Sequence, residues 1–340
     1  MKIAMACSEA NPFVKTGGLA DVTYSLSKEL VKLGEEVVIV LPLYNQIKAK
    51  CLPLDYVGYM SVNLSWRVQG ANIYYLERDG IKYYFLENQQ YFERDAIYGY
   101  DDDGERFAFY SVAFAQLLQQ VGFQPDIIHA HDWQPGMVFC YIREKRMSFY
   151  DNTKFVMSIH NPAFQGILDK YALGDLFGLP DYLYDNGTVR FMDKVSSLKA
   201  GIMYANKVTT VSPNHRNELL TPEGSMGLNN ILIYKEYDFC GILNGIDYNE
   251  PGQIVDQIRI NGLDESLGLG TSLKIPMQQG KYKGGNELIK DVRIKSYTFS
   301  SYSGVHLNKD ADINIVITST KGDVITIHFA NDITPYDDYY

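Results

Sequence analysis

The sequence predicts an α/β protein in which a doubly wound sheet is followed by a small β-rich module. First, short apolar segments alternate with helical patterns between residues 2 and 212. Second, these segments are continuously apolar, as in strands of a parallel sheet that is covered on both faces. Third, helical patterns fade after Asp247, where glycine, threonine and isoleucine become frequent. The length of 340 residues fits two domains.

A first βαβ unit opens the chain. The short apolar segment 2–7 predicts a buried strand, and the run 36–44, rich in β-branched residues, predicts a second. Gly34 stands where a helix C-terminal cap is expected. The helix between the two strands is predicted to have an apolar face made of Val22, Leu26 and Leu30.

The same alternation predicts the rest of the sheet. Further helices are expected at 105–121, near 135–146 and near 196–205. Further strands are expected at 126–130, 154–160 and 207–212. The tyrosine-rich residues 55–92 come closer to strict apolar–polar alternation, so we predict that they add strands and make the sheet mixed.

The C-terminal part has a different character. Its predicted strands are 292–299, 312–320 and 323–330, the last two flanking a tight turn at Lys321-Gly322. We expect a domain over 1–248, a linker over 249–270 and a β-rich module of unknown function over 271–340. Four tyrosines of this part could stack on sugars, although ordinary surface positions are the more common explanation of such residues: Tyr297, Tyr302, Tyr339 and Tyr340.

Composition excludes several classes of protein. The formal net charge of −10 argues against a protein that wraps duplex nucleic acid. No apolar run approaches the roughly 20 residues of a membrane span, and the N-terminus does not have the pattern of a signal peptide. The four cysteines are scattered, which makes a disulfide framework improbable and favours a cytoplasmic location: Cys7, Cys51, Cys140 and Cys240.

A glycine-rich loop is the first candidate site. Gly17 and Gly18 follow the first strand and open the first helix, between Lys15 and Asp21. Glycines let a backbone approach a ligand, and free amides at a helix N-terminus favour a phosphate or another anion. The loop matches neither a dinucleotide fingerprint nor a P-loop. From these residues alone, a ligand site and an ordinary glycine turn are about equally supported.

A second candidate lies at the end of strand 126–130, where His129, His131, Asp132 and Trp133 are close in sequence. Two histidines spaced in this way could bind a metal together with His160, although we expect no metal and consider His129 a core histidine. A further polar turn, at 158–162, lies at the end of the strand predicted at 154–160, and another, at 243–247, closes the α/β region. Together these turns place polar groups at one edge of one sheet.

Five segments carry a family resemblance. They occur in the family's order and spacing: KTGGLADV (15–22), HAHDWQPG (129–136), SIHNPAFQG (158–166), KAGIMYANKVTTVSP (199–213) and GILNGIDY (241–248). Residues 93–111 fit as well, and the likeness extends over residues 1–248. The chain resembles the N-terminal domain of bacterial glycogen synthases and plant starch synthases.

The resemblance implies a GT-B glycosyltransferase, built from two Rossmann-like domains that face a cleft. It implies transfer of glucose from ADP-glucose to the non-reducing end of an α-1,4-glucan such as glycogen, with retention and without a metal or cofactor. The implied catalytic residues are His160, Lys15 and Asn244. The implied donor-binding residues are Lys15, Gly17, Gly18, Asp21 and Asn161. The implied acceptor-binding residues are Tyr98, Asp132 and Trp133.

The chain also departs from the family. Residues 249–340 contain neither the R-L-x-x-Q-K-G stretch nor the E-P-C-G-L-type loop of the family's second domain, and they are too few for a second doubly wound domain. The β-rich module stands in its place. We therefore expect the isolated chain to be weak or inactive unless a complementary donor-domain chain or a homo-oligomer completes the site. The alternatives are a non-catalytic glucan- or nucleotide-binding half-enzyme and a truncated fusion.

Overall fold

The computed structural model describes residues 1–245, 289–294, 313–319 and 324–329. The chain divides into two compact units, Met1–Gly245 and Ile246–Tyr340. The first unit ends next to the predicted boundary at residue 248, and the predicted linker at 249–270 lies outside the described residues. The predicted three-part domain division stays a prediction.

The first unit contains twelve strands among the described residues: β1 (Lys2–Ala6), β2 (Glu36–Pro42), β3 (Asp55–Leu64), β4 (Arg67–Arg78), β5 (Ile81–Glu87), β6 (Ile127–His131), β7 (Lys154–Ile159), β8 (Ile167–Leu168), β9 (Arg190–Phe191), β10 (Lys194–Ser196), β11 (Lys207–Thr210) and β12 (Phe239–Gly241). Its helices are α1 (Gly18–Lys32), α2 (Asn45–Lys48), α3 (Gln89–Phe92), α4 (Asp103–Gln120), α5 (Met137–Glu144), α6 (Ala172–Phe177), α7 (Tyr182–Asp185), α8 (Ser197–Tyr204), α9 (Pro213–Glu218) and α10 (Asn229–Tyr234). Two 3-10 turns lie at Ser148–Tyr150 and Glu236–Asp238.

Nine strands form one mixed sheet in the order β12-β11-β7-β6-β1-β2-β5-β4-β3. The strands from β12 to β5 are parallel to their neighbours, whereas β5, β4 and β3 pair antiparallel. From β1 the chain winds outward to one side through β2 and β5, and then to the other side through β6, β7 and β11. The winding therefore reverses between β1 and β6, where open α/β sheets form their ligand crevice. The predicted doubly wound, mixed sheet is confirmed.

The core is formed by the two covered faces of this sheet. The strands β1 and β2 are buried almost along their whole length, and α4 buries most of its side chains against the sheet. This burial explains why the strand segments are continuously apolar rather than alternating. The predicted long helix at 105–121 is confirmed as α4.

The predicted apolar face of the first helix is wrong in part. The buried side chains of α1 are Leu19, Ala20, Thr23, Tyr24 and Ser27. Leu26 and Leu30 are only partly buried, and Val22 is also partly exposed. Thr23 tolerates burial because its Oγ1 donates a 2.9 Å hydrogen bond to the carbonyl of Leu19. Two small polar residues, Thr23 with this backbone partner and Ser27, thus occupy positions where larger apolar residues were expected.

In the second unit the structure describes the backbone of β13 (Ile289–Ile294), β14 (Ile313–Ser319) and β15 (Val324–Phe329). They form a three-stranded antiparallel sheet with β14 in the centre. The pairing of the last two strands confirms the predicted hairpin, whose turn at Lys321-Gly322 lies outside the described residues. The strand expected at 292–299 begins earlier, at residue 289, and the described strand ends at 294. The four tyrosines that were considered for sugar stacking also lie outside the described residues.

Candidate active site

The carboxyl ends of β1, β6 and β7 form the edge of the candidate site. These three strands are neighbours in the sheet, so the segments that follow them meet. Glu9 follows β1, Asp132 follows β6 and His160 follows β7. The predicted gathering of polar groups at one edge of the sheet is confirmed.

The glycine loop lies at the same edge. Gly17 has an extended backbone and precedes α1 without a side-chain cap, which leaves amides of the first helical turn for another partner. A Cβ added to Gly17 or Gly18 would have no other atom within 4 Å. The fold itself therefore does not require glycine here, and the open space beside the backbone suits a ligand. Lys15 reaches into solvent and forms a 2.7 Å ion pair with Asp21.

A buried carboxylate fixes this loop. Glu9 is 3% exposed and accepts hydrogen bonds from the backbone amide of Thr16 and, at 2.7 Å, from the Thr16 hydroxyl. It also accepts a 2.9 Å hydrogen bond from the hydroxyl of Tyr98. Glu9 was not among the residues predicted from the sequence. Its only sequence signal was a charged residue directly after a buried strand, at the edge where sites form.

Tyr98 is held from two sides. Its hydroxyl lies 2.5 Å from the Ser8 hydroxyl, and burial raises the pKa of Tyr98 well above its usual range, so the phenol stays protonated. The loop that carries Tyr98 is tied to Arg106, which is 0% exposed and donates to the carbonyls of Tyr91 at 2.6 Å and Ile97 at 3.2 Å. A buried guanidinium thus positions a loop that reaches the candidate site.

Three histidines stack across β6 and β7. The ring centroids of His129 and His131 are 4.2 Å apart, and those of His131 and His160 are 5.3 Å apart. His129 is partly buried and pairs through Nε2 with the hydroxyl of Ser158 at 2.7 Å, so its ring has the structural partner that was expected of it. His131 pairs instead with His160, Nδ1 to Nε2, at 3.0 Å. Among the described residues the three imidazoles do not form a group that could hold a metal ion.

Burial keeps these rings neutral. It lowers the pKa of His129 to about 3 and the pKa of His131 well below its usual range, and neighbouring imidazoles add to both shifts. Burial also lowers the pKa of His160, although Asp132 and Glu9 oppose this shift. The histidine at the edge of the site is therefore a neutral hydrogen-bonding group near pH 7.

Asp132 holds the backbone of His160 through hydrogen bonds. It is 8% exposed, and its Oδ1 accepts the backbone amides of His160 at 2.7 Å and Asn161 at 3.3 Å. Its backbone has a φ of 61°, a left-handed conformation that aspartate adopts more readily than most residues. The role of Asp132 within the described residues is thus to fix the segment that carries His160.

Trp133 packs rather than projecting freely. Its ring meets the ring of Phe107 edge-on, with the centroids 5.0 Å apart. Gly166 lies against its other side: a Cβ there would be 2.3 Å from the indole, and the φ of this glycine is 60°. The partly exposed edge of Trp133 still belongs to the surface around the site.

The two predicted asparagines, Asn161 and Asn244, lie at different distances from His160 along the sheet edge. Asn161 is exposed directly after His160, and its side-chain oxygen accepts the amide of Ala163 at 3.0 Å. Asn244 follows β12, two strands beyond β7 in the sheet, and its backbone amide donates to the carbonyl of Val211 at 3.3 Å. The structure brings the glycine loop, Tyr98, Asp132 and His160 together, and leaves Asn244 toward the far end of the same edge.

Residues 2–234 match the family model described as starch synthase catalytic domain. The chain belongs to this starch synthase family. A glycogen synthase of Clostridium kluyveri is 45% identical over 252 residues, which are 73% of this chain and 53% of that protein. A glycogen synthase of Lactococcus lactis is 44% identical over 255 residues, again covering 73% and 53%. The chain spans about half the length of these curated relatives.

A solved member of the starch synthase family has the same fold. The catalytic domain of starch synthase IV from Arabidopsis thaliana, bound to ADP and acarbose, superposes with a TM-score of 0.67 at 31% identity. The match covers 73% of this chain and 52% of that one. The first unit is therefore a Rossmann-like domain of the GT-B type. Within the described residues, no helix is both long and apolar enough to cross a membrane.

Proposed function

We propose that residues 1–245 form the acceptor-side half of a glycogen or starch synthase active site. In this proposal, glucose passes from ADP-glucose to the non-reducing 4-hydroxyl of an α-1,4-glucan, with retention of the anomeric configuration. The observation that carries it is the meeting of the glycine loop, Tyr98 and His160 at the point where the winding of the sheet reverses. Membership of the starch synthase family supports the same conclusion.

The glycine loop suits the leaving group. When the bond between the anomeric carbon and the phosphate oxygen breaks, negative charge collects on the departing diphosphate. Uncapped amides at the start of α1 and the Lys15 ammonium are positioned to stabilise that charge. The solved relative is described as bound to ADP, which is the leaving group that this loop would receive.

His160 suits the transferred sugar. An oxocarbenium-like centre is favoured by nearby polar groups and hindered by a fixed positive charge. Burial lowers the pKa of His160, so that the ring remains a neutral partner for sugar hydroxyls near pH 7. Asp132 holds the backbone of His160 and thereby fixes where that ring lies.

Tyr98 and Trp133 suit the acceptor. Both offer aromatic surface at the edge of the site, and Tyr98 is tied to Glu9, the carboxylate that also holds Thr16 of the glycine loop. The acceptor side and the donor loop thus share one buried anchor. The groups that the family places on its second domain would have to come from outside residues 1–245.

The test is transfer of labelled glucose from ADP-glucose into glycogen by the purified chain. His160→Ala should abolish any transfer. Lys15→Ala should weaken ADP binding about tenfold or more, because a charge-assisted contact contributes roughly 1.5–3 kcal/mol. Lys170→Ala is the matched control, since Lys170 is an exposed lysine outside the site.

The outcomes separate the proposals. Incorporation that His160→Ala abolishes means that the cleft is complete in the assayed protein. Binding of ADP and glycogen without incorporation supports the non-catalytic half-enzyme, with a complementary donor-domain chain as the missing component. A chain that neither transfers glucose nor binds ADP or glycogen contradicts the proposed function.

A further inference from the structure

His131 lies beneath His160, and neither the family resemblance nor the proposed reaction gives it a role. It is 0% exposed at the end of β6, and its Nδ1 is 3.0 Å from Nε2 of His160. The planes of the two rings are inclined by only 26°. One nitrogen of this pair must donate and the other must accept, so the two tautomers depend on each other.

The other ring nitrogen of His131, Nε2, determines which of the two histidines donates the hydrogen bond. Nε2 of His131 is buried and has no hydrogen-bond partner within the described part of the chain. The neutral ring carries a single proton. A proton at Nε2 would leave a buried N–H without an acceptor, which is rarer and costlier than a bare lone pair. The proton therefore lies at Nδ1, and His131 donates to His160.

The tautomer of His160 follows from this direction. Its Nε2 accepts the hydrogen bond from His131 and is bare. Because the ring is neutral, its single proton must lie at Nδ1. The only hydrogen bond that this ring makes among the described residues uses Nε2, so the Nδ1–H remains for a ligand.

The surroundings hold His131 in place. His129 stacks on it with an interplanar angle of 28° and is itself anchored to Ser158, whose hydroxyl lies 2.5 Å from that of Thr209. The next residue after His131, Asp132, accepts the backbone amide of His160. The end of β6 therefore controls both the backbone of His160 and the orientation of its ring.

We propose that His131 is a positioning residue that fixes His160 as the Nδ1–H tautomer. His160 then presents a hydrogen-bond donor, suited to a sugar hydroxyl oxygen, and it has no free nitrogen with which to act as a base. The importance of that donor for glucose transfer rests on the proposed function. The tautomer itself does not depend on any activity.

The test is nitrogen NMR of the full chain labelled with ¹⁵N-histidine, without ligand. Protonated and bare ring nitrogens resonate in separate regions, and the chain has only six histidines. The His160→Gln variant identifies the signals of His160. We expect the native chain to show a protonated Nδ1 and a bare Nε2 for this residue.

Variants of the donor sharpen the test. His131→Phe keeps a ring but removes the donor, and it should shift a substantial share of His160 to the Nε2–H tautomer. His131→Asn places an amide N–H close to the position of Nδ1 and should preserve the native tautomer. His129→Gln is the matched control, because His129 stacks in the same column but bonds Ser158 instead of His160.

A native spectrum with the His160 proton at Nε2 overturns the proposal, even if no variant of His131 folds. So does an unchanged tautomer in a His131→Phe chain that retains the native melting curve. A chain that neither transfers glucose nor binds ADP or glycogen, yet shows the Nδ1–H tautomer, contradicts the proposed function and leaves this inference standing. A chain that transfers glucose but shows the Nε2–H tautomer supports the proposed function and contradicts this inference.

Discussion

At the scale of single residues, the edge of the site is built from buried ionisable groups that hold backbone. Glu9 and Asp132 both use their carboxylates to accept amide hydrogen bonds, and each thereby fixes a different segment. A buried carboxylate that accepts amide hydrogen bonds recovers part of the energy lost on leaving water. These hydrogen bonds offset part of the cost of burying charge at this edge, and they fix the glycine loop and the segment that carries His160.

The neutral histidine column makes stability depend on pH. Burial lowers the pKa of His129 from 6.5 to about 3. Between these two pH values the side chain is protonated in the unfolded chain but neutral in the folded chain. The contribution of His129 to the free energy of unfolding is complete above pH 6.5 and should fall as the pH drops from 6.5 toward 3. For this one residue the slope should approach about 1.4 kcal/mol per pH unit.

Urea unfolding at several pH values checks this expectation. Both tryptophans of the chain, Trp66 and Trp133, lie in the first unit, so their fluorescence reports on it. The free energy of unfolding of His129→Gln should depend less steeply on pH than that of the native chain. Equal slopes for the two proteins would show that His129 is not buried in its neutral form.

At the scale of elements, two kinds of glycine have different purposes. Gly136 precedes α5 where it crosses α8, and a Cβ there would lie 2.2 Å from the carbonyl oxygen of Ser197. Gly17 and Gly18 meet no such obstacle. The first glycine is needed for packing, whereas the other two leave room beside the start of α1.

Alanine substitutions at these glycines should therefore affect different properties, namely protein stability at Gly136 and ADP binding at Gly17 and Gly18. Gly136→Ala should destabilise the chain by roughly 1–3 kcal/mol, because backbone would have to move. Gly17→Ala and Gly18→Ala should change stability by no more than about 0.5 kcal/mol, and yet weaken ADP binding measured by calorimetry. Thermal melts that show equal destabilisation by Gly17→Ala and Gly136→Ala would contradict this division.

At the scale of the whole molecule, the first unit has its own core and its own site. Its final strand, β12, is secured by the Ile242 amide, which donates to the carbonyl of Thr210 at 2.8 Å, and by Phe239, which is 4% exposed. The described strands of the second unit form an antiparallel sheet of their own. The residues proposed to bind ligand all lie within residues 1–245.

A chain that ends after Gly245 should therefore fold and retain ADP and glycogen binding. Near-ultraviolet circular dichroism and calorimetry provide the comparison with the full chain. A chain that ends at Tyr234 is the matched control, because it loses β12 and should be markedly less stable. Aggregation of the 1–245 protein would contradict the independence of the first unit.

Sequence patterns predicted the main strands and helices of the sheet and the positions of the polar turns, because strand and helix periods are local properties of the chain. They also predicted that these turns meet, since parallel strands end at one edge. Folding of the whole domain was needed to show which face of α1 is buried. The same holds for the bond between Glu9 and Tyr98, which lie 89 positions apart, and so for the link from Tyr98 through Glu9 to Thr16. Likewise, the pairing of His131 with His160 depends on β6 and β7 being neighbours. Such contacts join residues that are far apart in the chain, and no local pattern of side chains encodes the hydrogen-bond partner that a buried polar group will find.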